Sequence, residues 1–311
     1  MITNGSTEIA AVYLGSTRID AIYKGSDVIL SGTVRYAVVT DLTNITSDAP
    51  SSVEENAPLT ITLTPNTEHI IDNSSVVVTM GGVDITSTAY SNGVVTISEV
   101  TGNVSITGHT IFDAVVEWLQ GDSTAYINTG INVSQNIRID ADITILSDWS
   151  GGGSIFGGRI RSTEGQFTVQ FYRDAQGSGY NIWRWAYGNN QKDGTHNKTV
   201  GTFNLSNMND ARTMVISGDH SFTLTANERT FSNSYQIYLF VANNGGSLMS
   251  MSNSKYLRFL SCKMYNGSTL VRDYIPVRKN GVGYLYDKVS GNFFGNANSS
   301  GSFAYGNDKN D

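Results

Sequence analysis

Apolar and polar residues alternate along most of this chain with the two-residue period of β-strands. Between residues 137 and 145, every second residue is Ile or Ala, while Arg, Asp and Thr fill the positions between them. Three further runs rich in β-branched residues indicate strands in the same way: 34–39, 59–63 and 76–80. Asn92-Gly93 and Asn266-Gly267 are typical of tight hairpin turns. Because no segment repeats apolar residues every 3.6 positions over a helical length, the chain is predicted to be all-β.

The composition narrows the class of protein further. Only 15% of the 311 residues are charged, and Gly, Ser, Thr and Asn are abundant, as in β-rich proteins with many polar turns. The net charge of −7 argues against a nucleic-acid partner, because no basic stripe exists to neutralise phosphates. No apolar stretch reaches the roughly 20 residues of a membrane span, and the N-terminus lacks the basic and apolar regions of a secretory signal. We therefore expect a protein that folds in the cytoplasm and has no membrane partner.

Residues 1–32 contain a short repeat that predicts an attachment segment. A-V-Y-L-G-S-T-R-I-D is followed by A-I-Y-K-G-S-D-V-I-L, and each unit is predicted to form a strand, a Gly-Ser turn and a second strand. So few residues cannot bury a core alone, so they must pack on the next domain, on copies of themselves or on another protein. The segment resembles N-terminal segments of phage virion proteins. That resemblance implies that four residues attach the chain to a virion or to its own copies: Tyr13, Ile19, Ile22 and Tyr23.

Residues 33–109 are predicted to form a small β-sandwich. Within them, V-T-M-G-G-V-D-I-T-S-T-A-Y-S-N-G-V-V-T-I resembles an immunoglobulin-like repeat that is common in phage structural proteins and bacterial surface proteins. In those proteins the repeat is a spacer. The resemblance implies the same role here, without catalytic residues.

Residues 110–311 carry the most specific motifs. E-W-L-Q-G-D-S-T-A-Y-I-N-T-G-I begins at Glu117, and V-R-D-Y-I-P begins at Val271 and is followed by G-Y-L-Y-D and G-N-F-F-G-N. In order and spacing these motifs resemble LamG-like domains, which have the concanavalin A-like lectin/glucanase jelly roll. The resemblance covers residues 115–303 and implies a jelly-roll sandwich. It says far less about a ligand.

An alternating aromatic run is the candidate binding surface. Trp183, Trp185 and Tyr187 share one face of a predicted strand. Exposed rings would stack on the C–H faces of sugars, while amides and arginine would bond their hydroxyl groups. The candidate carbohydrate-binding site comprises this strand and two nearby residues: Trp149, Tyr180, Trp183, Arg184, Trp185 and Tyr187. The alternative, which the pattern favours slightly, is that the aromatic face belongs to the sandwich core.

Catalytic and metal sites receive little support. Asp140 and Asp142 share one strand face about 6–7 Å apart, near the separation of carboxylate pairs in glycoside hydrolysis. The E-x-D-x-x-E motif of the enzymes of this superfamily is missing, so no catalytic residue is assigned. The histidines lack zinc-ligand spacing, and the loop predicted at 189–194 is a weak calcium candidate because it contains Lys192. We expect no enzyme activity, metal or cofactor, and Cys262 is predicted to be a small buried hydrophobe.

In this order, the three parts resemble a bacteriophage virion accessory protein, either a head fibre, a capsid decoration or a tail-associated fibre. The resemblance implies a protein that is made in the bacterial host cytoplasm and located in the virion. It further implies attachment to other virion proteins through residues 1–32, homo-oligomers with a trimer favoured, and display of a lectin-like domain toward host-surface glycans. Two other classes stay open: a bacterial or phage carbohydrate-binding adhesin, and a polysaccharide-degrading enzyme of the concanavalin A-like glucanase superfamily.

Overall fold

The computed structural model confirms the all-β fold class. It describes residues 33–146, 152–173, 181–196, 200–219, 221–227, 231–249 and 251–309, together with six short strands between residues 3 and 31. Residues 1–111 and residues 112–310 form two compact units, which are described separately below. Among the described residues, no helix is long and apolar enough to cross a membrane.

The six strands between residues 3 and 31 form three separate antiparallel pairs: β1 with β2, β3 with β4 and β5 with β6. Their bounds are β1 Thr3–Asn4, β2 Thr7–Glu8, β3 Val12–Leu14, β4 Thr17–Ile19, β5 Ala21–Lys24 and β6 Asp27–Ser31. Each pair flanks a Gly-Ser dipeptide in the sequence, so the ten-residue repeat has three units where two were predicted. The predicted attachment residues lie on β3, β4 and β5, and their side chains lie outside the described part of the structure: Tyr13, Ile19, Ile22 and Tyr23.

The other strands of the first unit form two sheets around one core. Their bounds are β7 Arg35–Thr43, β8 Ile45–Ser47, β9 Ser52–Glu54, β10 Leu59–Pro65, β11 Val77–Met80, β12 Val83–Asp84, α1 Thr86–Ala89, β13 Tyr90–Ser91, β14 Val94–Ile97 and β15 Val104–His109. One sheet has the order β13-β14-β10-β8 and the other β12-β11-β15-β7-β9, in which β15 and β7 are parallel. Alternation along β10 determines which face is buried: the core side chains are Leu59, Ile61 and Leu63, and the threonines between them are exposed. Together the two sheets form the predicted immunoglobulin-like sandwich.

The second unit is a larger sandwich of two sheets. Its elements are β16 Ala114–Val115, β17 Leu119–Gln120, β18 Ile127–Ser134, β19 Ile137–Ile145, β20 Gly152–Arg159, β21 Gln166–Arg173, β22 Asn181–Gly188, β23 Asn190–His196, β24 Gly201–Ser206, β25 Thr213–Gly218, β26 Phe222–Thr225, β27 Ser232–Leu239, β28 Ala242–Asn244, β29 Ser247–Met249, a 3-10 helix Met251–Tyr256, β30 Leu257–Asn266, β31 Thr269–Lys279, β32 Val282–Asp287, β33 Asn292–Phe294 and β34 Ala304–Tyr305. The larger sheet has the order β26-β25-β24-β19-β30-β31-β32-β33, with β16, β17 and β34 attached to it. The smaller sheet has the order β18-β27-β20-β21-β22-β23, with β28 and β29 attached.

One apolar core fills the space between these two sheets. Along β19 every second residue is buried: Ile137, Ile139, Ala141, Ile143 and Ile145. Residues of the smaller sheet, such as Phe156, Phe171 and Ile237, belong to the same buried cluster. The architecture is therefore the layered jelly-roll sandwich that the motifs predicted.

The closing motif G-Y-L-Y-D has a structural role. Its last residue, Asp287, is fully buried, and its carboxylate accepts hydrogen bonds from the backbone N–H of Asp273 at 2.8 Å and of Val289 at 3.1 Å. The hydroxyl of Ser290 donates a third bond at 2.6 Å, and a guanidinium nitrogen of Arg272 lies 3.7 Å away. A buried carboxylate needs such partners, so this motif holds the C-terminal strands together.

The single cysteine is a core residue, as predicted. Cys262 has no exposed surface and lies opposite Tyr274 in the pairing of β30 with β31. Burial, assisted by the carboxylates of Asp140, Asp273 and Asp142, raises the pKa of its thiol far above the ordinary value. A protonated and inaccessible thiol is a poor nucleophile, so no chemical role is assigned to it.

Candidate functional site

The predicted aromatic ladder is part of the core, so its assignment as a carbohydrate-binding surface is wrong. Trp183 and Trp185 have no exposed surface, and Tyr187 is 1% exposed. The Trp183 ring packs against Phe203 of the opposite sheet with 5.2 Å between centroids, and the indole N–H of Trp185 donates a 2.8 Å hydrogen bond to the carbonyl of Arg212. Rings enclosed between two sheets cannot stack on a sugar. The alternative interpretation, that this face belongs to the core, is confirmed.

The remaining residues of the predicted site do not form a binding surface in the described structure. Arg184 lies on the opposite face of β22, where its guanidinium donates two 2.7 Å hydrogen bonds to the carboxylate of Asp193. Trp149 and Tyr180 lie outside the described residues. The segment 189–194, a weak calcium candidate from its sequence, is mostly strand β23, and the carboxylate of Asp193 forms an ion pair with Arg184.

The paired carboxylates of β19 are held by neighbouring strands. Asp140 and Asp142 are half-buried on the face opposite the core, and the side-chain amide of Asn204 donates to both, at 2.8 and 3.2 Å. The hydroxyl of Ser261 donates a 2.7 Å bond to the second oxygen of Asp142. Their described partners are thus an amide and a hydroxyl. Within the described ranges, no three His, Cys, Asp or Glu side chains are grouped to hold a metal ion.

The better candidate site is a cleft at Trp118, which we call the Trp118 cleft. Its volume is about 830 Å³, within the range of small-molecule sites. The segment before β17, strands β30 and β31 and the segment around β34 contribute its lining: Glu117, Trp118, Arg258, Arg278, Tyr305, Gly306, Asn307 and Asp308. Aromatic rings, both signs of charge and an amide therefore meet in one open cavity.

Two strand pairings assemble this cleft from distant parts of the chain. Leu119 of β17 lies opposite Phe259 of β30 on one side and opposite Tyr305 of β34 on the other. The N–H of Gly306 then donates a 3.0 Å bond to the carbonyl of Trp118. A Cβ atom at position 306 would lie 2.8 Å from the indole nitrogen of Trp118, so this ring occupies its place because residue 306 has no side chain.

Arg258 and Trp118 form the centre of the cleft. The guanidinium carbon of Arg258 lies 3.6 Å from the centroid of the Trp118 ring, a close cation–π contact. The Nε of Arg258 donates a 2.8 Å hydrogen bond to Oε1 of Gln120. Burial lowers the pKa of Arg258, and the Glu117 carboxylate acts in the opposite direction. An arginine stays charged under such a shift, so the cleft presents a planar cation beside an indole.

Arg278 and Asp308 form a second wall of the cleft. The guanidinium of Arg278 donates two hydrogen bonds to the Asp308 carboxylate, at 2.6 and 2.9 Å, and lies 3.9 Å from Asp113. The bonded Asp308 raises the pKa of Arg278 against the opposing effect of burial. The Tyr305 ring centroid is 5.7 Å from the same guanidinium. This wall therefore carries a charge that is already neutralised inside the protein.

None of the cleft residues was predicted as a binding residue. Trp118 was considered only as part of the opening motif, and residues 304–308 follow the last family motif. One feature of the sequence does indicate that Trp118 faces away from the core. Leu119 is the buried residue of E-W-L-Q, and neighbouring residues of an extended segment point to opposite faces. The contribution of residues 304–308 had no local signal.

Comparisons with known proteins give little further information. No protein-family model matches the chain, and no curated protein matches it. Among solved structures, the chain is similar to a candidate carbohydrate-binding protein from Bacteroides ovatus, with a TM-score of 0.39, 10% sequence identity, and coverage of 88% of this chain and 97% of that chain. A likeness of this size carries no argument about the ligand.

Proposed function

We propose that the C-terminal sandwich is a carbohydrate-binding domain whose site is the Trp118 cleft. The observation that carries this proposal is the meeting of a half-buried indole, a second aromatic ring and two guanidinium groups in one open cavity. Aromatic rings offer apolar faces to the C–H faces of a sugar, and planar polar groups pair with its hydroxyl groups. Charged side chains of this kind are costly to bury without partners, so their place in an open cavity is compatible with binding a polar ligand.

Binding of the full chain to a panel of polysaccharides tests this proposal. We expect binding by the wild-type protein and a large loss of affinity in Trp118→Ala, whose magnitude is argued in the Discussion. A Trp118→Ala variant that binds as tightly as the wild type would reject the cleft as the site.

For the whole chain we propose the role of a structural accessory protein of a phage virion, as a head fibre, a capsid decoration or a tail-associated fibre. The three hairpins of residues 3–31 support this proposal. An isolated two-stranded hairpin is marginally stable in water, and in the described structure β1 to β6 pair only with one another. Assembly with virion proteins or with further copies of the chain, a trimer being the expected state, would supply a surface on which these hairpins pack.

Deletion of residues 1–32 is expected to remove the protein from virions. The repeat is too short to fold by itself, so we expect it to be the part that packs on the particle. The sandwich of residues 33–109 has its own buried core and needs no such partner. Co-sedimentation of a tagged chain with purified particles measures the effect. Deleting residues 33–109 instead is the control, because a spacer is dispensable for attachment. A 1–32 deletion that still co-sediments at wild-type levels contradicts the attachment role.

We also propose that the protein is not an enzyme. A glucanase-like reaction would need a third acid in a cleft with Asp140 and Asp142, and the described partners of this pair are Asn204 and Ser261. Prolonged incubation with the polysaccharide that it binds is therefore expected to release no new reducing ends. Release that disappears in Asp142→Asn would establish the hydrolase alternative instead.

A further inference from the structure

We propose that the ligand of the Trp118 cleft carries a carboxylate and that Arg258 binds it, which makes the target an acidic polysaccharide. This inference rests on the carbohydrate-binding function proposed above and specifies its ligand class.

The position of the Arg258 guanidinium is fixed by two contacts that leave its outer edge open. One plane faces the Trp118 ring at 3.6 Å, and Nε is bonded to Gln120. Gln120 is itself anchored, because its amide donates a 2.7 Å bond to the carbonyl of Lys255. A guanidinium held in this way loses little further freedom when it binds a ligand, and such preorganisation favours affinity.

The two terminal nitrogens of Arg258 have no protein partner in the described part of the chain. The only hydrogen bond of its side chain there is the one from Nε to Gln120, and it forms no ion pair within 4.0 Å. Nη1 and Nη2 together carry four N–H donors arranged in one plane. Arg278 differs, since Asp308 already accepts two of its hydrogen bonds. Among the described residues, the cleft therefore holds one cation that is paired with a carboxylate, Arg278, and one whose terminal nitrogens have no partner, Arg258.

A carboxylate matches the uncommitted donors better than a hydroxyl group does. Its two oxygens accept two parallel N–H bonds from a guanidinium and carry the opposite charge, whereas a hydroxyl group offers one neutral acceptor oxygen. The guanidinium covers one face of the Trp118 ring. The ring of an acidic sugar can therefore pack on the parts of Trp118 and Tyr305 that line the cavity beside the pair. Arg258 would then pair with the charge of the sugar, while Trp118 would contact its ring.

The negative charge of Glu117 opposes this interaction, so removing it is expected to change the affinity in the direction opposite to removing Arg258. Its carboxylate acts on Arg258 electrostatically without forming an ion pair, and its described hydrogen bond is a long one, 3.5 Å, from the amide of Asn307. An acidic ligand at Arg258 is repelled by this charge. Glu117→Gln is therefore expected to strengthen binding of an acidic glycan a few-fold, whereas Arg258→Met weakens it.

The experiment compares native and carboxyl-reduced forms of the same glycans on the full chain. The probes are oligogalacturonate, oligomannuronate, a hyaluronan oligosaccharide and oligosialic acid, each with its reduced form, and neutral cello- and malto-oligosaccharides. We expect wild-type protein to bind at least one native acidic probe about tenfold or more tightly than its reduced form. Arg258→Met is expected to abolish that difference, and Arg258→Lys to keep part of it as a point charge.

The outcomes separate this inference from the carbohydrate-binding function. Equal binding of native and reduced forms, or binding of neutral glycans alone, overturns the role of Arg258 and leaves the Trp118 cleft as a neutral-sugar site. Binding of no glycan by the wild-type chain overturns both proposals. The native-to-reduced comparison uses wild-type protein, so it decides whether a carboxylate is recognised even where Arg258→Met fails to fold, and Arg258→Lys then tests whether Arg258 binds it.

Discussion

Trp185→Ala is expected to destabilise the C-terminal sandwich by about 3–5 kcal/mol, a large share of the stability of an ordinary domain. The side chain is fully buried, and its ring lies edge-on to Phe167 with 5.1 Å between centroids. Truncation leaves a cavity and deprives the carbonyl of Arg212 of its 2.8 Å hydrogen bond. Urea unfolding followed by tryptophan fluorescence measures this effect. All four tryptophans lie beyond residue 112, so the signal reports this unit alone.

Arg184→Ala is the matched control, because it removes the next side chain of the same strand from the opposite face. The Arg184–Asp193 ion pair is partly exposed, and such pairs contribute about 0–1 kcal/mol. Similar small changes in both variants would contradict the core position of Trp185. Loss of binding in a Trp183 or Trp185 variant would not be evidence of a ligand contact, because these substitutions destabilise the fold itself.

Trp118→Ala is expected to weaken polysaccharide binding by at least about 2 kcal/mol, or roughly 30-fold. The substitution removes an aromatic surface from the cleft and also the ring that supports the Arg258 guanidinium. The indole is half-buried at the surface of the sheet rather than enclosed, so the fold is expected to survive. Isothermal titration with the best polysaccharide ligand of the wild-type protein measures the change.

Two further variants make this result specific to the cleft. Trp118→Phe keeps a ring below Arg258 and is expected to retain part of the affinity. Tyr265→Ala removes a partly exposed aromatic residue at the other end of β30, outside the cleft, and is expected to bind like the wild type. Equal losses in Trp118→Ala and Tyr265→Ala would mean that the site is not confined to the cleft.

Local sequence chemistry predicted the strands well because it acts over few residues. Alternation along 137–145 predicted β19, and the five predicted inward residues are the buried ones. Asn266-Gly267 predicted the hairpin of β30 and β31, in which Gly267 has a φ of +62°. In both cases neighbouring side chains or one turn dipeptide determine the structure, so the local sequence is enough to predict these elements.

The candidate site depends on longer-range information. A two-residue period places Trp183, Trp185 and Tyr187 on one face but does not say whether a second sheet covers that face. Phe203 of β24 covers Trp183, and no local pattern connects these two segments. The Trp118 cleft is a sharper case, because β34 brings residues near the C-terminus beside the first strands of the same unit. Predicting it requires the strand pairing itself.

The most direct test of the Trp118 cleft is an NMR titration that follows the four tryptophan indole N–H signals during addition of a bound glycan. Trp118→Phe assigns the signal of Trp118 by removing it. If the glycan binds in the cleft, the Trp118 signal shifts progressively to saturation while the signals of the enclosed Trp183 and Trp185 stay nearly unchanged. Saturating glycan with an unmoved Trp118 signal would contradict the proposed binding site.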